Sequence, residues 1–300
     1  MKGIFVTGTD TGVGKTIITG LLGRYLLDKG YNVITQKWIQ TGCRDSIVRC
    51  NIKFRQRTKG GVGETVPHAW GVLSERSERR RGACPPSGSA LPIKKLCDRA
   101  LAADIKLHLR IMQRDKNDLG GYSGLISPYV FKTPSSPHLA SQIENRIINP
   151  DKIKESFRLL SRHFDFTIAE GIGGVLVPFN KKGLVIDIVS QLDLAVLVVA
   201  QNKLGAINHT LLTIEALEKR KIKILGIIFN NPKNEDKRIV KDNPLIIKAL
   251  ANQKVFGILP WIERYEKLYA RFIPIANKIY KALHPALPKG RGLNIGGRAG

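Results

Sequence analysis

Gly8-Thr9-Asp10-Thr11-Gly12-Val13-Gly14-Lys15-Thr16, preceded by the apolar run Ile4-Phe5-Val6 and followed by a helical pattern, decides the fold of this chain. A strand, a glycine-rich turn and a helix in that order let successive backbone N–H groups converge on phosphate oxygens. The helix N-terminus adds partial positive charge to the same spot. Lys15 supplies a full charge there, and Thr16 is placed to put its hydroxyl on a magnesium ion bridging the terminal phosphates. The ligand so implied is Mg-ATP or Mg-GTP. Loops of this kind commonly hold four residues between their two glycines, whereas five separate Gly8 from Gly14.

Outward from the loop, Ile17, Ile18, Leu21, Leu22, Tyr25 and Leu26 recur at helical spacing, so a helix is expected from Lys15 to Lys29, ended by Gly30. Asn32 to Gln36 reads as the second strand. Further short, β-branched runs at Phe166–Ala169, Leu194–Ala200, Ile224–Phe229 and Val255–Leu259 are separated by helical patterns such as Ile207–Lys219. That alternation predicts an α/β fold with a single doubly wound, mostly parallel sheet flanked by helices, of the P-loop NTPase kind. Ligand-binding groups should then gather at the carboxyl ends of the strands.

Residues 46–103 break this rhythm. They hold 12 Lys/Arg against 4 Asp/Glu, a Ser-Glu-Arg-Ser-Glu-Arg-Arg-Arg run from Ser74 and a Pro-Pro-Ser-Gly-Ser cluster from Pro85, without sustained periodicity. Such a stretch reads as an irregular insertion on the surface of the domain. Within it, Lys59-Gly60-Gly61-Val62-Gly63-Glu64-Thr65 looks like a second phosphate loop, but Glu64 stands where the phosphate lysine belongs and would repel an anion. Residues 283–300, rich in Gly, Arg and Pro toward the end, are expected to form a disordered basic tail.

The formal charge of +25, from 49 Lys/Arg against 24 Asp/Glu, would ordinarily suggest nucleic acid or a membrane surface as partner. The basic residues are spread along the chain with no accompanying aromatic stripe, so we read a solvated surface and expect neither partner. There is no apolar run of about 18 residues and no charged-then-apolar leader, which points to a cytoplasmic protein. Cys43, Cys50, Cys84 and Cys97 are too irregularly spaced for a disulfide scaffold or a zinc site.

Four later segments carry a family resemblance: Lys37-Trp38-Ile39-Gln40-Thr41-Gly42, Pro134-Ser135-Ser136-Pro137-His138, Glu170-Gly171-Ile172-Gly173-Gly174 and Lys203-Leu204-Gly205-Ala206-Ile207-Asn208-His209. With the loop and the pair Asn230-Asn231, in that order, the chain resembles dethiobiotin synthetase over residues 1–45 and about 104–265. The resemblance implies an ATP-dependent cyclo-ligase of biotin biosynthesis, a cytoplasmic homodimer using magnesium. It would close the ureido ring on 7,8-diaminononanoate with CO2 by way of a carbamate and a carbamic-phosphoric anhydride. On this view residues 1–282 are one ligase domain, interrupted by the insertion at 46–103.

The resemblance also assigns roles. Lys37 and Lys15, arriving from two strand ends, are the catalytic cations, and Thr41, Ser136, Pro137 and His138 meet the diamine. Locally, Ser136-Pro137 also reads as a helix cap with proline at the first helical position. Trp38 stands where the family usually has proline. Gly12, Val13, Gly14, Lys15, Thr16 and Ile17 bind the nucleotide, as do Glu170, Gly171, Ile172 and Gly173; Asn230, Asn231, Pro260, Trp261 and Ile262 surround its base. Thr16 and Glu170 hold the metal, Glu170 being a strand-end carboxylate facing the loop lysine. For the second carboxylate we choose Asp104, which opens a helical pattern, over Asp45. The resemblance places Asn208 and His209 near the subunit interface and the substrate, and locally the pair also reads as a helix cap. The competing functions are a homologue impaired by its insertion, a partitioning-type ATPase, whose loop would carry an additional early lysine, and a ligase for another small acid.

Overall fold

The computed structural model describes residues 3–43 and 101–283. Asp45, the second glycine-rich loop and the chain beyond residue 283 lie outside the described residues. The chain begins with β1 (Gly3–Gly8), α1 (Lys15–Asp28), β2 (Val33–Lys37) and β3 (Ile39–Gln40). After the undescribed stretch come α2 (Ala103–Met112), a 3-10 turn at Lys116–Tyr122, α3 (Ser123–Ile126), β4 (Tyr129–Val130), α4 (Pro137–Ile143) and α5 (Pro150–His163). The remainder runs β5 (Phe166–Glu170), α6 (Val185–Gln191), β6 (Ala195–Gln201), α7 (Ala206–Glu218), β7 (Ile224–Asn230), α8 (Lys237–Ala251), β8 (Val255–Leu259) and α9 (Tyr265–Leu283).

Six strands form one parallel sheet in the order β2-β5-β1-β6-β7-β8, as the alternation of short apolar runs and helices predicts. Strand side chains alternate between faces. Ile4, Val6, Ile168, Leu197 and Val199 therefore pack with α1 and α9 through Ile18, Leu22, Phe272 and Ile279. Phe5, Ala169, Val196, Val198 and Ala200 pack on the other face with Phe157, Ile186, Ile214 and Ile247. Both faces of the central strands are covered, which is why their sequences are continuous apolar runs. A separate two-stranded parallel pair, β3 with β4, follows the end of β2.

Leu101 and Ala102, which the sequence placed in the irregular insertion, are 4% and 0% exposed and pack with Ile105, Leu109 and Ile34. Ala103 opens α2. Their apolar side chains are buried just before α2, so the packed core includes residues ahead of Asp104. Likewise Leu283, given to the tail on sequence, is buried as the last residue of α9. Gly20 and Gly23 of α1 admit α2 at close range: a Cβ at Gly20 would lie 3.0 Å from Ile111, and one at Gly23 2.8 Å from the Met112 sulfur. The glycines thus let α2, and the residues it carries, approach the strand ends.

Candidate functional site

Parallel register brings the strand ends together. Lys37 of β2 is the register partner of Glu170 on β5, and Glu170 is in turn paired with Val6 on β1, two residues before the loop begins at Gly8. From there the loop turns at Gly12 and Gly14, with φ of 73° and 100°. Gly14 is required twice over, because a side chain there would also collide with the Asn230 amide. Lys15, only 6% exposed, donates from Nζ to the Asp10 carbonyl at 2.8 Å.

Around Lys37 the structure gathers a compact charged cluster. Its Nζ lies 2.7 Å from Glu170 Oε1, 2.7 Å from Asp104 Oδ2 and 2.7 Å from the Gly171 carbonyl. Thr16 Oγ1 donates to the same Glu170 Oε1 at 3.0 Å. Lys37 and Glu170 are buried, whereas Asp104 is 26% exposed. Burial alone would push the Glu170 acid up, but the Lys37 ammonium and the His108 contact outweigh it and hold it at about 2. Burial works against the Lys37 ammonium as well, yet Glu170 and Asp104 raise it above its ordinary value. Lys15 is lowered to about 8, first by burial and then by repulsion from Lys37.

Among the described residues no three of His, Cys, Asp and Glu are arranged to hold a metal by themselves. Glu170 and Asp104 nevertheless converge on Lys37 Nζ beside the phosphate loop, and the Thr16 hydroxyl joins them through Glu170 Oε1. Two carboxylates and a hydroxyl, completed by waters and phosphate oxygens, suit a hard octahedral cation such as Mg2+.

The remaining sequence candidates divide. The turn after Glu170 lies against the loop, since a Cβ at Gly173 would stand 3.5 Å from Thr11 Oγ1 and one at Gly174 3.5 Å from the Gly8 carbonyl. Ile17 and Ile172 are half-buried flanks, each packed against its layer of the core. Val13 is buried, and its carbonyl accepts from Asn230 Nδ2 at 3.0 Å. Asn231 points elsewhere, its Oδ1 accepting from Asn202 Nδ2 at 2.9 Å. Successive residues at a strand end face opposite sides of the sheet, so only Asn230 of the pair meets the loop. Beyond β8, the next strand of the sheet, come Pro260, Trp261 and Ile262. Trp261 is 46% exposed with Lys233 Nζ 4.8 Å from its ring centre.

Thr41 lies in a turn pinned to the segment before α4, where Gly42 N donates to the Thr133 carbonyl and Cys43 N to the Phe131 carbonyl. Ser136 occupies the N-cap position of α4 with Pro137 at its first turn. Its hydroxyl makes no cap, however, and pairs instead with His138 Nδ1 at 3.1 Å. Asn208 and His209 are exposed on the first turn of α7.

Sequence reasoning missed three positions. His108 lies four residues after Asp104 on α2 and reaches Glu170 Oε2 at 2.6 Å. That i, i+4 spacing on a helix was the available signal. Asn202, fully buried, ties Asn231 to the Val240 carbonyl and to Asn243. Gln36 receives the Trp38 indole N–H at 2.9 Å and donates to the Leu125 carbonyl at 2.8 Å. This bond and the Phe5 ring, 4.5 Å away between centroids, hold Trp38, which stands where the family usually has proline.

A phosphate loop whose neighbouring strand ends present a lysine and a carboxylate, on an all-parallel six-stranded sheet, defines a P-loop nucleotide-dependent protein. Comparison with known proteins narrows the class. Residues 111–267 match the AAA domain family. The chain is 31% identical over 252 residues to the ATP-dependent dethiobiotin synthetase BioD 2 of Haemophilus ducreyi, covering 84% of this chain and 93% of that protein. It is 31% identical over 273 residues to the ATP-dependent dethiobiotin synthetase BioD of Thermodesulfovibrio yellowstonii, covering 88% and 91%. Among solved structures, the MinC:MinD cell division protein complex of Aquifex aeolicus is similar at 15% identity, with a TM-score of 0.48 over 97% of this chain and 99% of that one. The chain belongs to the ATP-dependent dethiobiotin synthetase family, a family of ligases.

Proposed function

We propose that this protein closes the ureido ring of dethiobiotin on 7,8-diaminononanoate, using CO2 and ATP. The observation that carries the proposal is the Lys37 ammonium held 2.7 Å from both Glu170 and Asp104 at the strand end beside the phosphate loop. One amine of the substrate adds to CO2 and releases a proton, giving a carbamate. The carbamate oxygen attacks the γ-phosphorus of ATP and ADP leaves. The second amine then attacks the carbonyl carbon of the mixed anhydride, phosphate leaves, and the ring amine loses its proton. Such steps ask the protein for positioning and for cations around developing phosphate charge.

Lys15, at the start of α1, and Lys37, at the end of β2, approach one phosphoryl group and oppose that charge from different sides. The loop N–H groups from Gly12 to Thr16 hold the phosphates, with Ile17 and the 171–173 turn as flanks. Asn230 presents its amide oxygen toward the base, Asn231 fixes the strand end through Asn202, and Pro260, Trp261 and Ile262 form the wall. Thr41, Ser136, Pro137 and His138 orient the diamine. Thr16, Glu170 and Asp104 would hold Mg2+, which neutralises phosphate charge when bound. We infer a single domain that runs to Leu283, interrupted by the basic insertion, and a cytoplasmic setting, where ATP is supplied. The homodimer is carried over from the resemblance to dethiobiotin synthetases.

Phosphate release by purified protein with ATP, magnesium, bicarbonate and diaminononanoate tests the proposal. Diamine-dependent release is expected; its absence would sink the activity and favour a homologue impaired by its insertion. Lys37→Ala should retain nucleotide binding while turnover falls by about a hundredfold or more, as for loss of a group opposing transition-state charge.

A further inference from the structure

The two oxygens of Glu170 are treated differently by the fold. Oε1 faces Thr16 and Lys37, while Oε2 faces His108, at 2.6 Å, its one hydrogen-bond partner among the described residues. With its hydrogen on Nε2, the His108 ring donates to Oε2. Both residues are fully buried. The ring is a poor choice as packing alone, because Nδ1 is buried with no hydrogen-bond partner among the described residues. A leucine would fill the place without stranding an acceptor. What histidine adds is one N–H aimed at one oxygen.

The same helix face delivers Asp104. Asp104 and His108 are i, i+4 neighbours on α2, so the helix contacts the Lys37–Glu170 pair at two points, Asp104 on the lysine and His108 on the glutamate. Packing of α2 over Gly20 and Gly23 of α1 sets how deep both side chains reach.

We propose that His108 is a positioning residue that holds Glu170 with Oε1 turned toward Thr16 and the metal, and locks α2 so that Asp104 arrives at the same site. The proposal rests on the reading of Thr16, Glu170 and Asp104 as magnesium ligands. Second-layer partners of metal-binding carboxylates act in this way, and losing one typically costs about 10- to 100-fold in metal affinity.

The test is binding rather than turnover. A fluorescent ADP analogue is titrated into the full chain at a series of MgCl2 concentrations, and in EDTA, for the wild type and for His108→Gln, His108→Asn and His108→Leu. Thermal melts accompany each variant. Glutamine can place an N–H where Nε2 stands, whereas asparagine is too short and leucine has no donor. The half-saturating Mg2+ concentration should rise about tenfold in the Asn and Leu variants and stay near wild type in Gln. Binding in EDTA should be the same in all four. A rise that follows melting temperature across the series, or a Gln variant no better than Leu, would overturn the inference in favour of simple packing; so would unchanged Mg2+ dependence in Asn and Leu. A wild type whose nucleotide binding ignores Mg2+ would overturn the metal reading itself, and the inference with it.

Discussion

Replacing Lys37 with methionine keeps the volume and removes the charge, and the structure says what this should cost. Burial, the largest single influence on Glu170, favours its neutral acid; Lys37 is the foremost of the groups that reverse this and bring it from 4.5 to about 2. At about 1.4 kcal/mol per pH unit of displacement, the ionised Glu170 contributes about 3 kcal/mol to stability. Without Lys37, burial regains the upper hand, and at neutral pH the variant must either bury a poorly compensated charge or take up a proton. Removing one partner of a buried pair typically costs about 3–5 kcal/mol. The sign with pH follows from the depressed acid. Its stabilisation is complete above about 4.5 and is lost as pH falls toward about 2, so the difference between wild type and variant should shrink by about half near pH 3. Urea unfolding at pH 7 and pH 3 measures both quantities. A loss below about 1 kcal/mol at pH 7, or one of equal size at the two pH values, would show that Lys37 does not hold the Glu170 charge.

Lys15, lowered to about 8 by burial and by Lys37, should be partly neutral in the free protein near that pH. A bound triphosphate restores its proton, so calorimetry of ATP binding at pH 8 in buffers of different ionisation enthalpy should show uptake of about half a proton, absent in Lys15→Arg. Trp38→Phe keeps the ring against Phe5 but strands the buried Gln36 Oε1, and should cost about 1–3 kcal/mol in urea unfolding. A neutral result would mean that the indole N–H is not what steadies the chain beside Lys37.

The loop from Gly8 to Thr16 and the helix after it were legible because their signals are local: glycines where φ is positive, then apolar residues at helical spacing. The parallel sheet was legible because strands covered on both faces must be apolar throughout. The resemblance carried Lys37, Glu170 and Asp104, but nothing in their spacing along the chain says that they touch. His108, Asn202 and Gln36 escaped notice for the opposite reason, since a buried polar residue looks the same in sequence as an exposed one. Its worth depends on a partner far along the chain, 62 residues away for His108 and Glu170.

By itself, then, the sequence determined the class of ligand and the layering of the fold, because both follow from residues within a few positions of one another. Tertiary structure alone decided the electrostatics of the site. Parallel register sets Lys37 beside Glu170, and two glycines in α1 let α2 bring Asp104 and His108 to the same pair. Asn230 and Asn231 fall on opposite sides of a strand end, so one faces the phosphate loop and the other does not. Charge interactions at 2.7 Å in a buried place are governed by that geometry, and geometry of this kind exists only once the strands have paired.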